Sequence, residues 1–265
     1  MTLLYNEDCI ETISYLKKNG VGIDLVLTSP PYNTATSKET PTNRALKNHD
    51  VLYDNFVDYN PNYDTWLKDI FIGLESILNT NGVILLNMSY NNVNPNTTFL
   101  TIAKIIENTN LQISDVITWK KKSAIPNNTS VNKLTRITEF VFVFCRKSEY
   151  GTYFCNKPIK SISNVGQKFY QPIFNFIEAA NNDGINKLNK ATFSTEFVLK
   201  LLEIYMKPNS IVYDPFIGTG TTAVGVHRFD KDSICIGSEL SERQVKYAAE
   251  RLERESCQVL INAKL

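Results

Sequence analysis

The chain has 265 residues, of which 43% are hydrophobic and 21% charged, and its formal net charge is +1 at pH 7. This composition is typical of a folded globular protein and excludes an intrinsically disordered chain. No apolar run approaches the roughly 20 residues that a membrane span needs, and the N-terminus lacks a signal-peptide pattern, so we predict a cytoplasmic protein. The five cysteines form no Cys-x-x-Cys pair and there are only two histidines, so we expect neither a disulfide scaffold nor a metal site.

Helices and strands are predicted to alternate along the chain. In chain order they cover residues 9–19 (helix), 23–28 (strand), 64–79 (helix, ended by Asn81-Gly82), 83–87 (strand), 98–107 (helix), 114–119 and 140–145 (strands) and 195–206 (helix). A strand beginning at Ile211 then leads through a glycine turn into a helix, and a strand at residues 233–237 precedes the last helix. Such alternation predicts an α/β fold with a mostly parallel sheet and helices on both faces. Ligands of these sheets bind beyond the carboxyl ends of the strands.

A stiff turn, Ser29-Pro30-Pro31-Tyr32, follows the first predicted strand. Two consecutive prolines restrict the backbone and remove two N–H donors, so the turn presents acceptors. The Ser29 hydroxyl and the Pro30 carbonyl can both accept from one exocyclic amine, and the Tyr32 ring offers a face on which a base can stack. A rigid surface turn is the alternative that this motif alone leaves open.

A second motif begins with Asp214-Pro215-Phe216 and continues through Gly218 and Gly220. The glycines let the backbone approach a ligand closely, and the start of the following helix leaves N–H groups free to face that ligand. For Asp214, a turn-capping role is the alternative.

Glu239 ends the strand that follows the glycine turn. It lies about 20 residues after the glycines, where nucleotide-binding sheets carry an acid for ribose hydroxyls. The alternative is an acid at the start of a helix, because Ser241 and Gln244 form a capping box that starts the next helix. The strand-turn-helix-strand-acid order favours the ligand-binding interpretation.

Together the two motifs resemble those of the amino-group DNA methyltransferases, in the permuted order that places Ser-Pro-Pro-Tyr before the glycine motif. The resemblance covers most of the chain. It implies a Rossmann-like fold, S-adenosyl-L-methionine as cofactor, and methyl transfer to the exocyclic amine of a base flipped out of double-stranded DNA. The catalytic residues that it implies are Ser29, Pro30, Pro31 and Tyr32. No metal is expected.

The same resemblance implies the residues that bind the cofactor. Asn6-Glu-Asp-Cys9 resembles the segment that contacts the cofactor's adenine, and Lys190-Ala-Thr-Phe193 resembles the one that packs on its methionine end. The full implied set is Asp8, Cys9, Thr28, Phe193, Asp214, Pro215, Phe216, Gly218, Gly220, Thr221 and Glu239.

Positive charge is concentrated between residues 116 and 170, a stretch that contains ten basic residues and only two acidic ones. A basic stretch of this kind is typical of a surface that binds nucleic acid, and a solvated face of scattered lysines is the alternative. The DNA-binding residues predicted from it are Lys120, Lys121, Lys122, Lys133 and Arg136. Because each neutralised phosphate releases counterions, binding should depend steeply on salt.

The predicted organisation has three parts. Residues 1–149 form the catalytic half, within which the polar stretch 34–63 is expected to be a mobile loop that orders when DNA binds. Residues 150–188 form the small inserted target-recognition region, and at least half of its aromatic residues are expected to make a small core. Residues 189–265 form the cofactor-binding half.

The target base and the partners follow from the resemblance. Serine at the first position of Ser-Pro-Pro-Tyr favours N4 of cytosine, and N6 of adenine is the alternative. A catalytically silent DNA-binding module, a dinucleotide-dependent oxidoreductase and an RNA methyltransferase also stay open. Double-stranded DNA is the expected partner, within a restriction-modification or orphan modification system. A homodimer and a cognate restriction endonuclease are further partners that the sequence leaves open.

Overall fold

The computed structural model describes residues 1–33, 60–90, 94–123, 131–184 and 192–263. Within these ranges the helices are α1 (Cys9–Lys18), α2 (Tyr63–Ile77), α3 (Thr97–Asn108), α4 (Thr195–Tyr205), α5 (Thr221–Phe229) and α6 (Glu242–Arg254). The strands are β1 (Thr2–Tyr5), β2 (Ile23–Thr28), β3 (Leu78–Met88), β4 (Leu111–Lys121), β5 (Thr138–Arg146), β6 (Ile159–Ile162), β7 (Lys168–Tyr170), β8 (Phe176–Ala179), β9 (Ile211–Asp214), β10 (Ile234–Ser238) and β11 (Val259–Ile261).

One large sheet organises the described part of the chain, with the strand order β11-β1-β10-β9-β2-β3-β5-β4-β8. Only β5 runs against its neighbours β3 and β4, and the other pairs in this sheet are parallel. The α/β class, the mostly parallel sheet and the helices on both faces are therefore confirmed. The long predicted elements are found within a few residues of their predicted ends.

Helices cover both faces of the sheet because successive strand residues point to opposite sides. Leu25 and Leu27 of β2 join the apolar layer under α4, α5 and α6, whereas Val26 between them joins the layer under α1, α2 and α3. Strands buried on both faces are continuously apolar, which is why their positions could be predicted from the sequence.

The strand order reverses between β2 and β9, and this reversal positions the site. The two strands pair in parallel, with Leu25 beside Val212 and Val26 beside Tyr213. From β9 the chain passes through α5 to β10 on one side, and from β2 it passes through α2 to β3 on the other. Crevices at such reversals bind ligands in open α/β sheets, and here the carboxyl ends are Thr28 and Asp214.

The predicted end of the second helix was wrong. Helix α2 ends at Ile77, and Leu78 is already extended and paired with Ile23 at the start of β3. Arg146 explains the early end, because its guanidinium donates to the carbonyls of Glu75, Leu78 and Asn79. A cation that takes the last carbonyls of a helix stabilises that end, and its position in β5 cannot be seen from the helix sequence.

Short strands at the sheet edges, or next to an edge, were not predicted. Strands β1, β8 and β11 have three or four residues each, too few to carry a periodic signal. Strand β8 pairs with β4, so residues 176–179 of the predicted insertion belong to the main sheet. The stretch 34–63 lies outside the described residues up to position 59, and Tyr63 is already the first residue of α2.

The predicted small core of the insertion was wrong. Strands β6 and β7 form a separate antiparallel hairpin in which every strand residue is exposed. Of the aromatic residues expected to form that core, Tyr153 and Phe154 are half-buried, whereas four are exposed, namely Phe169, Tyr170, Phe174 and Phe176. Phe169 and Tyr170 lie on this hairpin, which has no opposing layer among the described residues against which their rings could pack.

The part of the chain that the structure describes contains no helix long and apolar enough to cross a membrane. In the same ranges, no three His, Cys, Asp or Glu side chains are grouped so that they could hold a metal ion.

Candidate functional site

The two sequence motifs meet through Asp214. The Thr28 hydroxyl at the end of β2 donates to Asp214 Oδ1 at 2.8 Å, and the Thr222 hydroxyl donates to Oδ2 at 2.6 Å. The Phe216 N–H also donates to Oδ1, at 3.0 Å. Burial raises the pKa of Asp214 to about 6, while these hydrogen bonds act in the opposite direction. Asp214 thus ties the end of β2 to the glycine turn and to the first turn of α5.

The glycine turn has the left-handed backbone that its sequence predicts. Gly218 has a φ of 50° and Gly220 a φ of 81°, values that favour glycine. A Cβ atom on Gly220 would lie 3.0 Å from the Cβ of Ala248 in α6. Gly220 is also the N-cap of α5, so the free N–H groups of that helix begin at the turn.

Glu239 contacts both the glycine turn and the start of α6. Its Oε2 accepts from the Gly218 N–H at 3.1 Å, and its Oε1 accepts from the Ser241 N–H at 2.9 Å. Ser241 caps α6 by accepting from the Gln244 N–H. Burial raises the pKa of Glu239. The carboxylate is therefore fixed against the glycine turn, and each oxygen keeps acceptor capacity for a ligand hydroxyl.

The segment after β1 reaches the same edge of the sheet. The Asn6 amide donates to the Glu239 carbonyl at 2.9 Å, and Asp8 Oδ1 accepts from the Ile10 N–H as the N-cap of α1. Cys9 is buried, and burial together with Asp8 raises the pKa of its thiol. The backbone of this segment is thus anchored beside Glu239, and the Cys9 side chain packs in the core as an unreactive thiol.

Two buried hydroxyls at the site have no hydrogen-bond partner among the described residues. They belong to Thr219, within the glycine turn, and to Thr192, beside Phe193. Buried polar groups are normally paired, so an unpaired hydroxyl in each of two predicted cofactor segments fits a polar ligand at this edge. Phe193 itself is buried, with its ring 5.9 Å from that of Phe197 in an edge-on arrangement.

The Ser29 turn is held by a cluster of polar groups around the Tyr32 hydroxyl. Ser29 Oγ lies 3.0 Å from it, Glu139 Oε2 lies 3.1 Å away and Asn87 Oδ1 lies 3.2 Å away. The other Glu139 oxygen forms an ion pair with Lys121. Burial, followed by the Glu139 charge, raises the pKa of the Tyr32 phenol, which therefore stays protonated and can donate.

The directions of these hydrogen bonds follow from what each group can do. A carboxylate only accepts, and the Asn87 amide nitrogen is already donating to the Phe140 carbonyl, so its oxygen faces Tyr32. The Tyr32 proton therefore points to Glu139 or Asn87, and its oxygen accepts from Ser29. Once the Ser29 proton is used in this way, Ser29 offers only acceptor lone pairs to anything else.

Helix α2 supports both motifs from one side. The Tyr63 hydroxyl donates to the Pro31 carbonyl at 2.6 Å, and the Trp66 ring lies 5.5 Å from the Phe216 ring. Tyr63 and Trp66 also contact each other, with ring centroids 5.4 Å apart. The first turn of α2 thus packs against the Ser29 turn and the glycine turn together.

Sequence reasoning missed four residues of the site, namely Tyr63, Trp66, Asn87 and Glu139. A polar Asn87 at the end of an apolar strand is a usable signal, because such strand ends meet at the ligand edge. Glu139 carried no such signal. It is the second residue of β5, and only the antiparallel pairing of β5 with β3 brings it to the same edge.

The predicted DNA-binding lysines face carboxylates in the structure. Lys120 pairs with Glu178 at 3.1 Å, Lys121 with Glu139, and Lys122 with Glu196 at 2.6 Å. Hydrogen bonds from the Lys122 ammonium and the Ala180 N–H lower the pKa of Glu196 to about 2. These pairs neutralise part of the local positive charge.

The two remaining predicted DNA-binding residues lie in a different setting. The Arg136 guanidinium lies over the Tyr90 ring at 4.9 Å, and Lys133 is exposed. Exposed lysines also occur at the hairpin, at positions 157, 160 and 168. Two further basic residues of the stretch serve the fold, since Arg146 caps α2 and Lys147 donates to the carbonyls of Ile106 and Thr109 at the end of α3.

Known proteins with similar sequences cover most of the chain. The type II methyltransferase M2.MboI of Moraxella bovis is 23% identical over 242 residues, which are 89% of this chain and 83% of the relative. The type II methyltransferase M.HinfI of Haemophilus influenzae is 25% identical over 256 residues, which are 92% of this chain and 66% of the relative.

Solved structures share the fold. The complex of M1.HpyAVI with S-adenosyl-L-methionine superposes with a TM-score of 0.67 at 21% identity, covering 95% of this chain and 99% of the other. The cytosine-N4-specific PvuII DNA methyltransferase superposes with a TM-score of 0.68 at 17% identity, covering 94% and 86%. The family model described as DNA methylase, for N6 and N4 methylation, matches residues 23–250, from the start of β2 into α6.

Proposed function

Because this chain belongs to the N6/N4 DNA methylase family, we propose that it transfers the methyl group of S-adenosyl-L-methionine to N4 of cytosine in double-stranded DNA. Membership of this family makes the chain an amino DNA methyltransferase with S-adenosyl-L-methionine as its cofactor. The proposal is supported above all by one contact, the hydrogen bond of 2.8 Å from Thr28 to Asp214. It joins the turn that would hold the amine to the turn that would hold the cofactor.

The cofactor would occupy the crevice beyond β9 and β10. Bound S-adenosyl-L-methionine supplies a methyl group that its sulfonium centre has already activated. Glu239 would accept from the ribose hydroxyls, while Gly218 and Gly220 would let the backbone approach the ligand. The unpaired hydroxyls of Thr192 and Thr219 give the site polar capacity that a ligand can use.

The remaining proposed cofactor contacts have supporting roles. Asp214 organises the turn through its three hydrogen bonds and its backbone continues into Pro215. Phe216 is held by Trp66, so its position beside the turn is fixed. The proposed cofactor contacts also include four residues that the geometry supports less directly, namely Asp8, Cys9, Phe193 and Thr221.

The target amine would be held by acceptors that need no rearrangement. An exocyclic base amine delocalises its lone pair into the ring, and hydrogen bonds from both of its N–H groups favour a tetrahedral, nucleophilic nitrogen. Ser29 is supported as one acceptor because Tyr32 already takes its proton, and the Pro30 carbonyl is the second proposed acceptor. Fixed dipoles of this kind stabilise the transition state without a reorganisation cost. The remaining requirement is alignment of amine, methyl and sulfur.

Reaching an amine inside a duplex requires the base to leave the stack, and the Tyr32 ring is the proposed stacking surface. The exposed basic residues proposed to contact DNA phosphates are Lys133 and, on the β6–β7 hairpin, Lys160 and Lys168, which lie beside exposed aromatic side chains. Lys120, Lys121 and Lys122 would contact phosphates only by exchanging carboxylate partners.

Cytosine is preferred because position 29 is a serine, a neutral acceptor that the resemblance associates with N4 methylation. N6-adenine methylation is the second candidate, since the same acceptor pair fits either amine. The family match leaves a dinucleotide-dependent oxidoreductase and a silent DNA-binding module without support. Type II relatives favour a role in a modification system with a cognate endonuclease, and a homodimer stays a prediction.

The decisive experiment is incubation of the protein with unmethylated DNA and S-adenosyl-L-methionine, followed by digestion to nucleosides and mass spectrometry. N4-methylcytosine is expected. N6-methyladenine alone would reject the choice of base while keeping the enzyme class, and an unmodified digest across varied DNA sequences would reject the proposed activity. RNA offered in parallel should stay unmethylated.

A further inference from the structure

Arg251 in α6 connects three separate parts of the chain. Its Nη1 donates to the Thr221 hydroxyl at 2.9 Å and to the Thr219 carbonyl at 3.3 Å. Its Nη2 forms an ion pair with Asp183 and donates to the Thr195 hydroxyl at 3.2 Å. The side chain is only 13% exposed. A guanidinium bound on both sides in this way is held in one orientation.

Asp183 fixes that orientation from the side of α4. One of its carboxylate oxygens accepts from the Thr195 N–H at 2.8 Å, and the other accepts from the Thr195 hydroxyl at 2.5 Å. Thr195 is the first residue of α4. The guanidinium is therefore anchored on the first turn of α4, and its other edge faces the glycine turn.

The chemistry of arginine decides what Thr221 offers to a ligand. A guanidinium has donors and no acceptor, so it uses a lone pair of the Thr221 hydroxyl and leaves the Thr221 proton free to donate elsewhere. Thr221 is also the first residue of α5, where free N–H groups and the positive end of the helix dipole lie. A hydroxyl donor, free N–H groups and an arginine charge behind them together suit a carboxylate.

We propose that Arg251 is a positioning residue for the carboxylate of S-adenosyl-L-methionine. It would hold the Thr219–Thr221 backbone in place and orient the Thr221 hydroxyl as a donor, without touching the cofactor itself. This inference rests on the proposed cofactor site, in which Glu239 takes the ribose at the other end of the glycine turn.

The test compares two ligands that differ in the amino-acid part. Equilibrium binding of S-adenosyl-L-methionine and of 5′-methylthioadenosine, which lacks the carboxylate, is measured by calorimetry for the wild type, Arg251→Met and Arg251→Lys. Loss of hydrogen bonds from a charged group should weaken S-adenosyl-L-methionine binding roughly 10- to 100-fold in Arg251→Met. Binding of 5′-methylthioadenosine should be nearly unchanged. Arg251→Lys should recover part of the loss, because it restores the positive charge but not the planar set of guanidinium N–H donors.

Equal weakening of both ligands would overturn the proposal, since it would mean general damage to the turn, and so would unchanged binding of both. Should Arg251→Met fail to fold, Asp183→Asn removes the negative charge that anchors the guanidinium, while its amide oxygen can still accept from Thr195. It is expected to weaken the binding of S-adenosyl-L-methionine alone, by several-fold. Unchanged or equally weakened binding in that variant would overturn the proposal in the same way.

Matched controls lie in the same surface cavity of about 440 Å³, which Arg228 and Arg254 also line. These arginines pair with Glu255 and Glu250 instead of the turn. Arg228→Met and Arg254→Met should leave the affinity for both ligands unchanged, and a loss equal to that of Arg251→Met would assign the effect to cavity charge. A methyl-transfer assay of the wild type distinguishes failure of the proposed function from failure of this inference. Absence of methyl transfer rejects the proposed function. An active wild type, together with unchanged cofactor binding in Arg251→Met, rejects only the role of Arg251.

Discussion

Single residues at this site act mainly by setting the direction of hydrogen bonds. Acceptor-only groups surround the Tyr32 hydroxyl, so the Ser29 proton is used within the protein and Ser29 would face a ligand as an acceptor. The donor-only guanidinium of Arg251 has the opposite effect on Thr221. Two hydroxyls of the same chemical type are thereby expected to serve opposite purposes, one for an amine and one for a carboxylate.

Tyr32→Phe tests the first of these effects because it keeps the ring and removes the hydroxyl. Ser29 then loses its internal acceptor, and the rate constant of methyl transfer should fall about 3- to 10-fold, as expected for one hydrogen bond. The affinity for S-adenosyl-L-methionine should not change. Single-turnover methylation and calorimetry measure the two quantities, and Tyr150→Phe, at an exposed position, is the control. A loss that is equally large in a Ser29→Ala background would contradict this coupling.

Asp214→Asn tests the cost of the buried carboxyl. The pKa of Asp214 is raised from 3.8 to about 6, so the folded protein binds this proton more tightly than the unfolded chain. The associated stability is present below pH 4 and is lost as pH rises through 6, by up to about 3 kcal/mol at about 1.4 kcal/mol per pKa unit. Asn cannot ionise, so the variant should lack this decrease. Urea unfolding at a series of pH values checks it, and parallel stability curves for both proteins would contradict it.

Among the elements, β5 shows how a charge within the basic stretch can serve the fold. Arg146 at its end donates to three carbonyls at the end of α2, and Glu139 at its start faces the Ser29 turn. The exposed hairpin β6–β7 has the opposite character, because none of its strand residues is buried. The positive charge of one sequence stretch is thus divided between helix ends, ion pairs and an exposed surface.

Substitutions can separate these roles. Arg146→Met should lower the free energy of unfolding by about 1–3 kcal/mol, because hydrogen bonds from a charged group are lost, and should leave the salt dependence of DNA binding unchanged. The double variant Lys160→Met/Lys168→Met should do the reverse. Its stability should match the wild type, and the slope of log affinity against log salt should fall by about 0.9 for each phosphate that the variant no longer neutralises.

Denaturant unfolding and binding titrations across salt concentrations provide both readouts. An unchanged salt-dependence slope in the lysine double variant would show that the hairpin lysines do not contact DNA phosphates. A changed slope in Arg146→Met would show that this arginine contacts DNA in addition to capping α2.

The whole molecule joins the two proposed functional halves at one strand reversal. Ser29 and Asp214 lie 185 positions apart in the chain. Parallel pairing of β2 with β9 nevertheless brings Thr28, the residue before Ser29, into contact with Asp214. The two halves should therefore be separable in function although they are adjacent in space.

Ser29→Ala and Glu239→Gln test this separation. Ser29→Ala should lower methyl transfer about 100-fold or more, the scale of removing one pre-organised group, while binding of S-adenosyl-L-methionine and DNA is retained. Glu239→Gln should weaken cofactor binding about 10-fold or more, because an acceptor becomes partly a donor, and should leave DNA binding unchanged. Methylation assays and separate titrations with each ligand measure these effects. Similar losses of cofactor affinity in both variants would contradict the separation.

The sequence by itself determined the α/β class, the long helices and strands, and both motifs, because apolar periodicity and the backbone preferences of glycine and proline are local properties. It could not determine the edge strands, the early end of α2, or the contributions of Tyr63, Trp66, Glu139 and Arg251. Those depend on which strands pair and which helix ends meet, and both involve residues far apart in sequence. Only the tertiary structure decided that Glu139 orders the Ser29 turn and that much of the basic stretch is paired within the protein.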